Sequence, residues 1–315
     1  MPGSKLDARD VRVDPLLTSV SIAYRNTAYI AEQIAPLITS PVDAGKYAVY
    51  NQADWFRNEA AKRAAGTRAK RGDFGITFDS FLCEEVAFAR EIPDEIRRNA
   101  MDPIRPDQDA TDYATDKVLL AKEVRVAAKM MLTGSWASGH AVTLTGGQQW
   151  SDYSTSDPIS DIEVGVNLVA GKTGRRPNTM VMSFPTYQKL KNHPDIVDRI
   201  KYSQKGIVTI DLLKELFEVE RIFVGSAILT ASNEGVAAGS EVYSYVWGKG
   251  VWVGYVAPNP GLQTPSAMYQ FSSGPRNVRR WREEPEHQDV VEAYELVDER
   301  IVSSLVGYLL NTAIA

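Results

Sequence analysis

The sequence predicts an α+β protein with limbs that need a partner, on three features. Asp109–Trp136 reads as one long helix, free of Gly and Pro from Ala110 through Thr133. Two stretches of strand character, Lys46–Tyr50 and Gly75–Phe81, flank a long basic segment. The second half mixes helices and strands in no regular βαβ order, which argues α+β.

Residues 1–20 are charged, broken by Pro2 and Pro15, and are expected to form an extended arm. Ser21–Ala35 is expected to be a short helix with Ile22, Tyr29, Ile30 and Ile34 on one side, cut off by Pro36 and Pro41. Next, Lys46–Tyr50 reads KYAVY, and Gly75–Phe81 alternates Ile76 and Phe78 against Thr77 and Asp79, as strands do. Between them Arg57, Lys62, Arg63, Arg68, Lys70 and Arg71 stand against only Asp54 and Glu59 before Asp73. Two strands with such a tip predict a projecting hairpin, which is marginal alone and requires a partner with an acidic surface. The plainer alternative is a solvated basic loop. A single-strand nucleic-acid site fits less well, because Trp55 and Phe56 are adjacent instead of interleaved with the basic residues.

Val86–Ala100 runs into a short helix after Pro93, and Pro103 and Pro106 introduce the long helix. There Tyr113, Leu120, Val124, Ala127 and Met131 share one face, widened by Ala114, Val118, Ala121 and Ala128. Lys117, Lys122, Arg125 and Lys129 are assigned to the opposite, solvent side. Asp107 and Asp109 suit the positive N-terminal end, and Gly134 is the stop. Such a rod, roughly 35 Å long, must lie along something to bury its stripe.

After Val142–Leu144 and a polar loop at Thr145–Ser156, Asp157-Pro158 opens a helix with Ile159, Ile162, Val166 and Val169 on its apolar face and Gly171 at its end. Thr179–Ser183 is a short buried strand. Helices follow from Pro185 to Lys191, from Pro194 to Tyr202, and after the cap Thr209. Arg221–Gly225 is a strand, Glu234–Gly239 a loose loop, and Val242–Val256 a hairpin turning at Gly248-Lys249-Gly250. Val290–Gly307 reads as a long strand followed by an apolar terminal segment.

Composition narrows the function. With 315 residues, 44% hydrophobic and 24% charged, the chain suits one large or two ordinary globular domains. A net charge of -5 does not imply wholesale nucleic-acid binding. One cysteine, Cys83, allows neither an internal disulfide framework nor a cysteine metal site, and suits a reducing cytosol. No window reaches the ~18 apolar residues of a membrane span, and the polar start MPGSKLDARDVRVDP is no signal peptide.

Catalytic chemistry finds no foothold. His140, His193 and His287 lie far apart with no carboxylate at metal spacing, so no metal and no cofactor is expected. Gly171-Lys172-Thr173 resembles the end of a phosphate loop, but Val166 stands where that loop needs its first glycine. Cys83 sits beside Glu84 and Glu85, which raise a thiol's pKa and do not activate it. Arg279, Arg280 and Arg282 beside Glu283, Glu284 and Glu286 read as a charge-paired surface and a subunit-interface candidate.

One run carries a resemblance. PNTMVMSFPTYQKLKNHPDIVDRIKY and GIVTIDLLKELFEVERIFVGSAI hold a strand at Asn178–Ser183, the step His193-Pro194, and Ile200–Tyr202. A helix at Thr209–Phe217 and a strand at Val219–Gly225 complete it. This sequence of elements resembles the axial domain of the major capsid proteins of tailed double-stranded DNA bacteriophages. The basic hairpin resembles that family's extended loop, and the long helix its spine helix. The resemblance implies a virion shell subunit, assembled in the host cytoplasm, that forms pentamers and hexamers and closes as an icosahedron around the genome. It implies an N-terminal arm at 1–45, an extended loop at 46–90 and a peripheral domain at 91–156. The axial domain then spans 157–280, and return strands span 281–315. The loop residues Trp55, Phe56, Arg57, Lys62, Arg63, Arg68, Lys70 and Arg71 become inter-subunit contacts.

Some members begin with a long helical scaffold segment. Here about 20 polar residues precede the first predicted helix, so a separate scaffolding protein or an already mature chain is expected, with a portal and decoration protein as further partners. Nothing marks Lys62, Lys70 or Asn311 for the crosslink that some members form. The encapsulin type of protein compartment shares the architecture and is the alternative within the fold. A soluble hydrolase is the alternative from another class.

Overall fold

The computed structural model describes residue 26 and residues 28–100, 104–200, 208–237, 239–261 and 263–315. The arm expected at 1–20, most of the helix expected from Ser21, and the last two residues of the helix expected to end at Tyr202 lie outside the described residues.

The first half runs α1 (Ala31–Ile34), β1 (Leu37–Thr39), β2 (Ala44–Tyr50), α2 (Gln52–Phe56), β3 (Ile76–Leu82), β4 (Glu84–Pro93), α3 (Asp94–Asn99), α4 (Pro106–Met130) and β5 (Ala141–Thr143). The helices α5 (Pro158–Thr173), α6 (Phe184–Lys191), α7 (Pro194–Ile200) and α8 (Ile210–Phe217) follow, with β6 (Thr179–Ser183) between the first two. Then come β7 (Arg221–Gly225), β8 (Ile228–Thr230), β9 (Tyr243–Tyr245), β10 (Val251–Gly254), β11 (Met268–Ser272), β12 (Asn277–Glu283), β13 (Gln288–Ile301) and β14 (Gly307–Asn311).

Two five-stranded sheets organise these elements. The first is built on β13. Its N-terminal half pairs antiparallel with β12, its C-terminal half pairs with β11, and β4 runs along its other edge from Glu84 to Pro93. The helix α4 lies across β13 and β4. The second sheet has the order β5-β14-β10-β6-β7. Its core includes Ile159, Ile162 and Val169 of α5, Leu190 of α6, Leu213 and Phe217 of α8, and Met180 and Met182 of β6. Another core joins the two sheets: Val126, Ala127 and Met130 of α4 meet Met268 from the first sheet and Val181, Trp252 and Leu309 from the second.

Local chemistry accounts for the helix ends. Asp157 accepts hydrogen bonds from the Ile159 and Ser160 amides, and Thr209 from Leu212, so α5 and α8 begin on side-chain caps. The helix α5 passes the expected stop at Gly171 and ends at Gly174, whose φ of 66° suits glycine.

Two other expectations change. The buried residues of α4 are Ala110, Ala114, Val118, Lys122, Glu123, Val126, Ala127 and Met130, whereas Tyr113 and Val124 are exposed. Small residues at four-residue steps let the helix lie close on Val291 and Ala293 of β13, so the face follows close approach and not maximal side-chain size. Val242–Val256 is no hairpin: β9 pairs with β8, and β10 sits between β14 and β6. Val251, Trp252 and Val253 are fully buried on both faces, which only a central strand provides. The second sheet takes β5 and β14 from far along the chain while β11 and β12 join the first sheet, because sheet membership is set by pairings far apart in sequence.

Candidate functional site

The hairpin is the feature that the body leaves unsatisfied. β2 and β3 pair antiparallel over seven residues, from Ala44↔Leu82 to Tyr50↔Ile76. Its root is packed: Tyr47 stacks on Phe271 at 5.4 Å and Phe81 on the same ring at 4.4 Å. Its neck is closed by Asp54, which accepts from the Gly75 amide at 3.0 Å and from Asn51 at 2.9 Å. Those bonds, led by the Gly75 amide, hold the Asp54 carboxyl below its ordinary value. Tyr50, Trp55 and Phe74 gather with ring centroids 5.9–6.0 Å apart. The turn α2 rests on the end of α5, where Gln52 donates to the Lys172 carbonyl and the Phe56 ring lies against Gly174. An open groove of about 1000 Å³ remains between hairpin and body, walled by Tyr47, Tyr50, Trp55, Phe56 and Phe271.

Beyond α2 the loop is solvent-exposed apart from the half-buried Glu59. Arg57 pairs with Asp54 and Glu59, each at 3.6 Å. Lys62, Arg63, Arg68, Lys70 and Arg71 form no ion pair among the described residues. Trp55 and Phe56 are more than half exposed.

The arginines of the charged segment are ion-paired, mainly with carboxylates outside the adjacent glutamates. Arg279 grips Glu292 at 2.8 Å and Glu85 at 3.1 Å, and lies 4.7 Å over the Tyr294 ring. Arg280 holds Asp289 and, at 3.2 Å, Asp107 of α4. Arg282 forks onto Asp94 of α3 at 2.6 and 2.7 Å. The arginines are thus spent fastening β12 to β13, β4, α3 and α4. Their neighbours Glu283, Glu284 and Glu286 are not their main partners: only Glu284 lies within reach, 3.7 Å from Arg282. Glu283 accepts from Gln288 and Trp281, and Glu284 and Glu286 are exposed.

One constellation that sequence reasoning missed resembles a catalytic triad. Ser156 Oγ lies 2.9 Å from His193 Nε2, and Asp195 is on the far side of the ring. The protons run the wrong way for nucleophile activation. The Asp195 amide donates to Nδ1, so Nε2 carries the hydrogen and donates to Ser156, while Ser156 donates to the Asp152 carbonyl. Both Ser156 and His193 are buried, and burial pushes the imidazole below its ordinary pKa. The arrangement ties a loop to the start of α7. No three metal-binding side chains gather among the described residues, and no helix there is long and apolar enough to cross a membrane.

Known proteins share the sequence and the fold. The profile of the family "Phage major capsid protein E" matches residues 137–261. The major capsid protein of Burkholderia phage BcepMu is 32% identical over 306 residues, which is 95% of this chain and 96% of that protein. A phage-related protein from Bordetella bronchiseptica RB50 superposes with a TM-score of 0.72 at 29% identity, covering 92% of this chain and 93% of its own. A chain of the capsid structure of cyanophage P-SCSP1u, at 9% identity, shares the fold with a TM-score of 0.63 over 98% of this chain and 95% of its own. The chain belongs to the phage major capsid proteins and is a structural subunit of the capsid.

Proposed function

We propose that this subunit forms pentamers and hexamers that close into an icosahedral shell around double-stranded DNA. The second sheet with α5, α6 and α8 serves as the axial domain, and the first sheet with α4 as the peripheral domain. Assembly proceeds in the host cytoplasm with a separate scaffolding protein and a portal, and the subunit catalyses no reaction.

The observation that carries this reading is the hairpin tip. Five cations project into solvent with no ion-pair partner among the described residues, next to exposed aromatic rings. Exposed Glu284 and Glu286, with Glu283 beside them, offer a surface of opposite sign on the turn between β12 and β13. Ring closure needs head-to-tail contacts between different faces of identical subunits, so one chain must carry both halves of the contact. Charge complementarity also sets register and rejects wrong pairings. The net charge of -5 keeps the subunit from binding tightly to the DNA that it encloses.

The test is the triple change Arg68→Glu, Lys70→Glu and Arg71→Glu. The variant is expected to fold, with a far-ultraviolet circular dichroism spectrum like that of the unaltered chain, and to sediment as free subunits or small rings. Unchanged particle yield on a sucrose gradient refutes the loop's role.

A further inference from the structure

Residues 28–35, with Asn26, hold a place that the capsid reading does not explain. Ile30, Ala31, Ile34 and Ala35 are buried in the core that joins the two sheets, between α4 and the strand residues Val181, Trp252 and Met268. This short strap is therefore a wedge between the two bodies, and its polar fastenings come from both.

The main fastening is Glu123, fully buried in the middle of α4. One carboxylate oxygen accepts from the Trp247 indole at 2.6 Å. The other accepts from the Ala31 amide at 2.9 Å, and the Ile30 amide reaches both at 3.1–3.2 Å. A side chain of one helix thus caps the free amides of another, and a residue just before β10 joins the same acceptor. The neighbouring Lys122 takes Glu32 of the strap at 3.1 Å, and Arg276 also holds Glu32. Tyr29 donates to Asp116 of α4 at 2.9 Å. At the strap's start Asn26 bonds both the amide and the carbonyl of Ile228, each at 3.0 Å, like one rung of a third strand beside β8.

We infer that the strap is a detachable clasp that sets the angle between the two sheet layers of the subunit. Three properties point to it. The wedge is only four helical residues long, too short to be stable by itself. Beside the apolar contacts of Ile30 and Ile34, its polar fastenings are directional bonds to distinct elements, so they hold one relative placement and are lost together when the layers turn. Burying a carboxylate on neutral donors alone is costly, and burial pushes the Glu123 carboxyl above its ordinary pKa. That cost weakens the docked state against release, as expected of an element that opens without global unfolding.

The inference rests on the shell-forming reading, since one sequence must then occupy positions of different curvature. Its test is Glu123→Gln in the full chain, read in two ways. An amide side chain keeps one acceptor but turns an N–H against the strap's own N–H groups. Hydrogen exchange of free subunits is expected to show Ile30 and Ala31 exchanging about 10-fold faster or more, with the strands of both sheets unchanged. Electron microscopy is expected to show particles of several diameters in place of one. If Glu123→Gln fails to fold, Asn26→Ala with Glu32→Gln loosens the strap from its exposed side, and the same two outcomes are expected. Uniform particles of unaltered diameter despite a labile strap overturn the inference, as does unchanged exchange. An unaltered chain that forms no particles overturns the shell reading instead.

Discussion

Replacing Lys122 by Met tests the face on which the long helix lies. Lys122 sits in the middle of α4 with its side chain 3% exposed. Its ammonium lies 2.8 Å from Glu295, itself 2% exposed, and 3.1 Å from Glu32. Arg125 and Arg276 each approach Glu295 at 3.3 Å. Removing one partner of a buried ion pair costs about 3–5 kcal/mol, because the other charge stays behind unpaired. Here Glu295 keeps two guanidinium partners, so the expected loss falls toward the low end, about 2–3 kcal/mol. Glu295→Leu alone is expected to cost more, since Lys122 then keeps only Glu32, on the strap. The double change Lys122→Met, Glu295→Leu replaces a buried ionic contact by an apolar one, and it is expected to cost at least about 2 kcal/mol less than the sum of the singles. Urea unfolding of the full chain followed by tryptophan emission reads these differences as shifts in midpoint at constant slope. A loss below about 1 kcal/mol for Lys122→Met, with additive singles, is the behaviour of a surface charge. It would return Lys122 to the solvent side and refute the packing of α4 on β13.

Two further outcomes follow from close packing and from burial. A Cβ at Gly307 would stand 2.3 Å from the Trp136 ring and 2.5 Å from the indole nitrogen of fully buried Trp252, so Gly307→Ala is expected to cost about 1–3 kcal/mol or more and lower the melting temperature; an unchanged melting curve contradicts the contact. His193 is held below its ordinary pKa of 6.5, so its stabilising contribution is complete above that pH and is lost as pH falls through the depressed folded value. The loss is at most about 1.4 kcal/mol per pH unit, and His193→Gln should flatten the stability profile below that pH; an equally steep profile in the variant assigns the acid sensitivity elsewhere.

What the sequence made legible was local. The two strands of the basic hairpin, the long helix, the caps Asp157 and Thr209 and the strands Thr179–Ser183 and Arg221–Gly225 all follow from period, breaker and cap residues within a dozen positions. What stayed hidden needed a partner far along the chain. Tyr243–Tyr245 and Val251–Gly254 look like two arms of one turn, yet β14, more than fifty residues later, claims the second of them. The α4 face was misread because polarity was taken as exposure. Lys122 and Glu123 are polar and buried, and nothing in their own neighbourhood announces Glu295 or the strap amides. The same blindness applied at Arg279, Arg280 and Arg282. Adjacent glutamates offered ready partners, but a strand turns alternate residues to opposite faces, and the carboxylates that meet these arginines stand across the ladder at Glu292 and Asp289 or on α3.

That contrast separates charges used up inside the subunit from charges left over. The cations on β12, with Lys122 and Arg125 on α4, all find carboxylates within the chain, so they help to specify the fold. The hairpin cations past Arg57 find none among the described residues, although the chain as a whole is acidic. Keeping several like charges together on a two-stranded limb is unfavourable for an isolated subunit and becomes favourable only when opposite charge is brought to them. In a shell of identical subunits that opposite charge must come from the same sequence. The excess of carboxylates over cations in this chain leaves acidic surface available for that role.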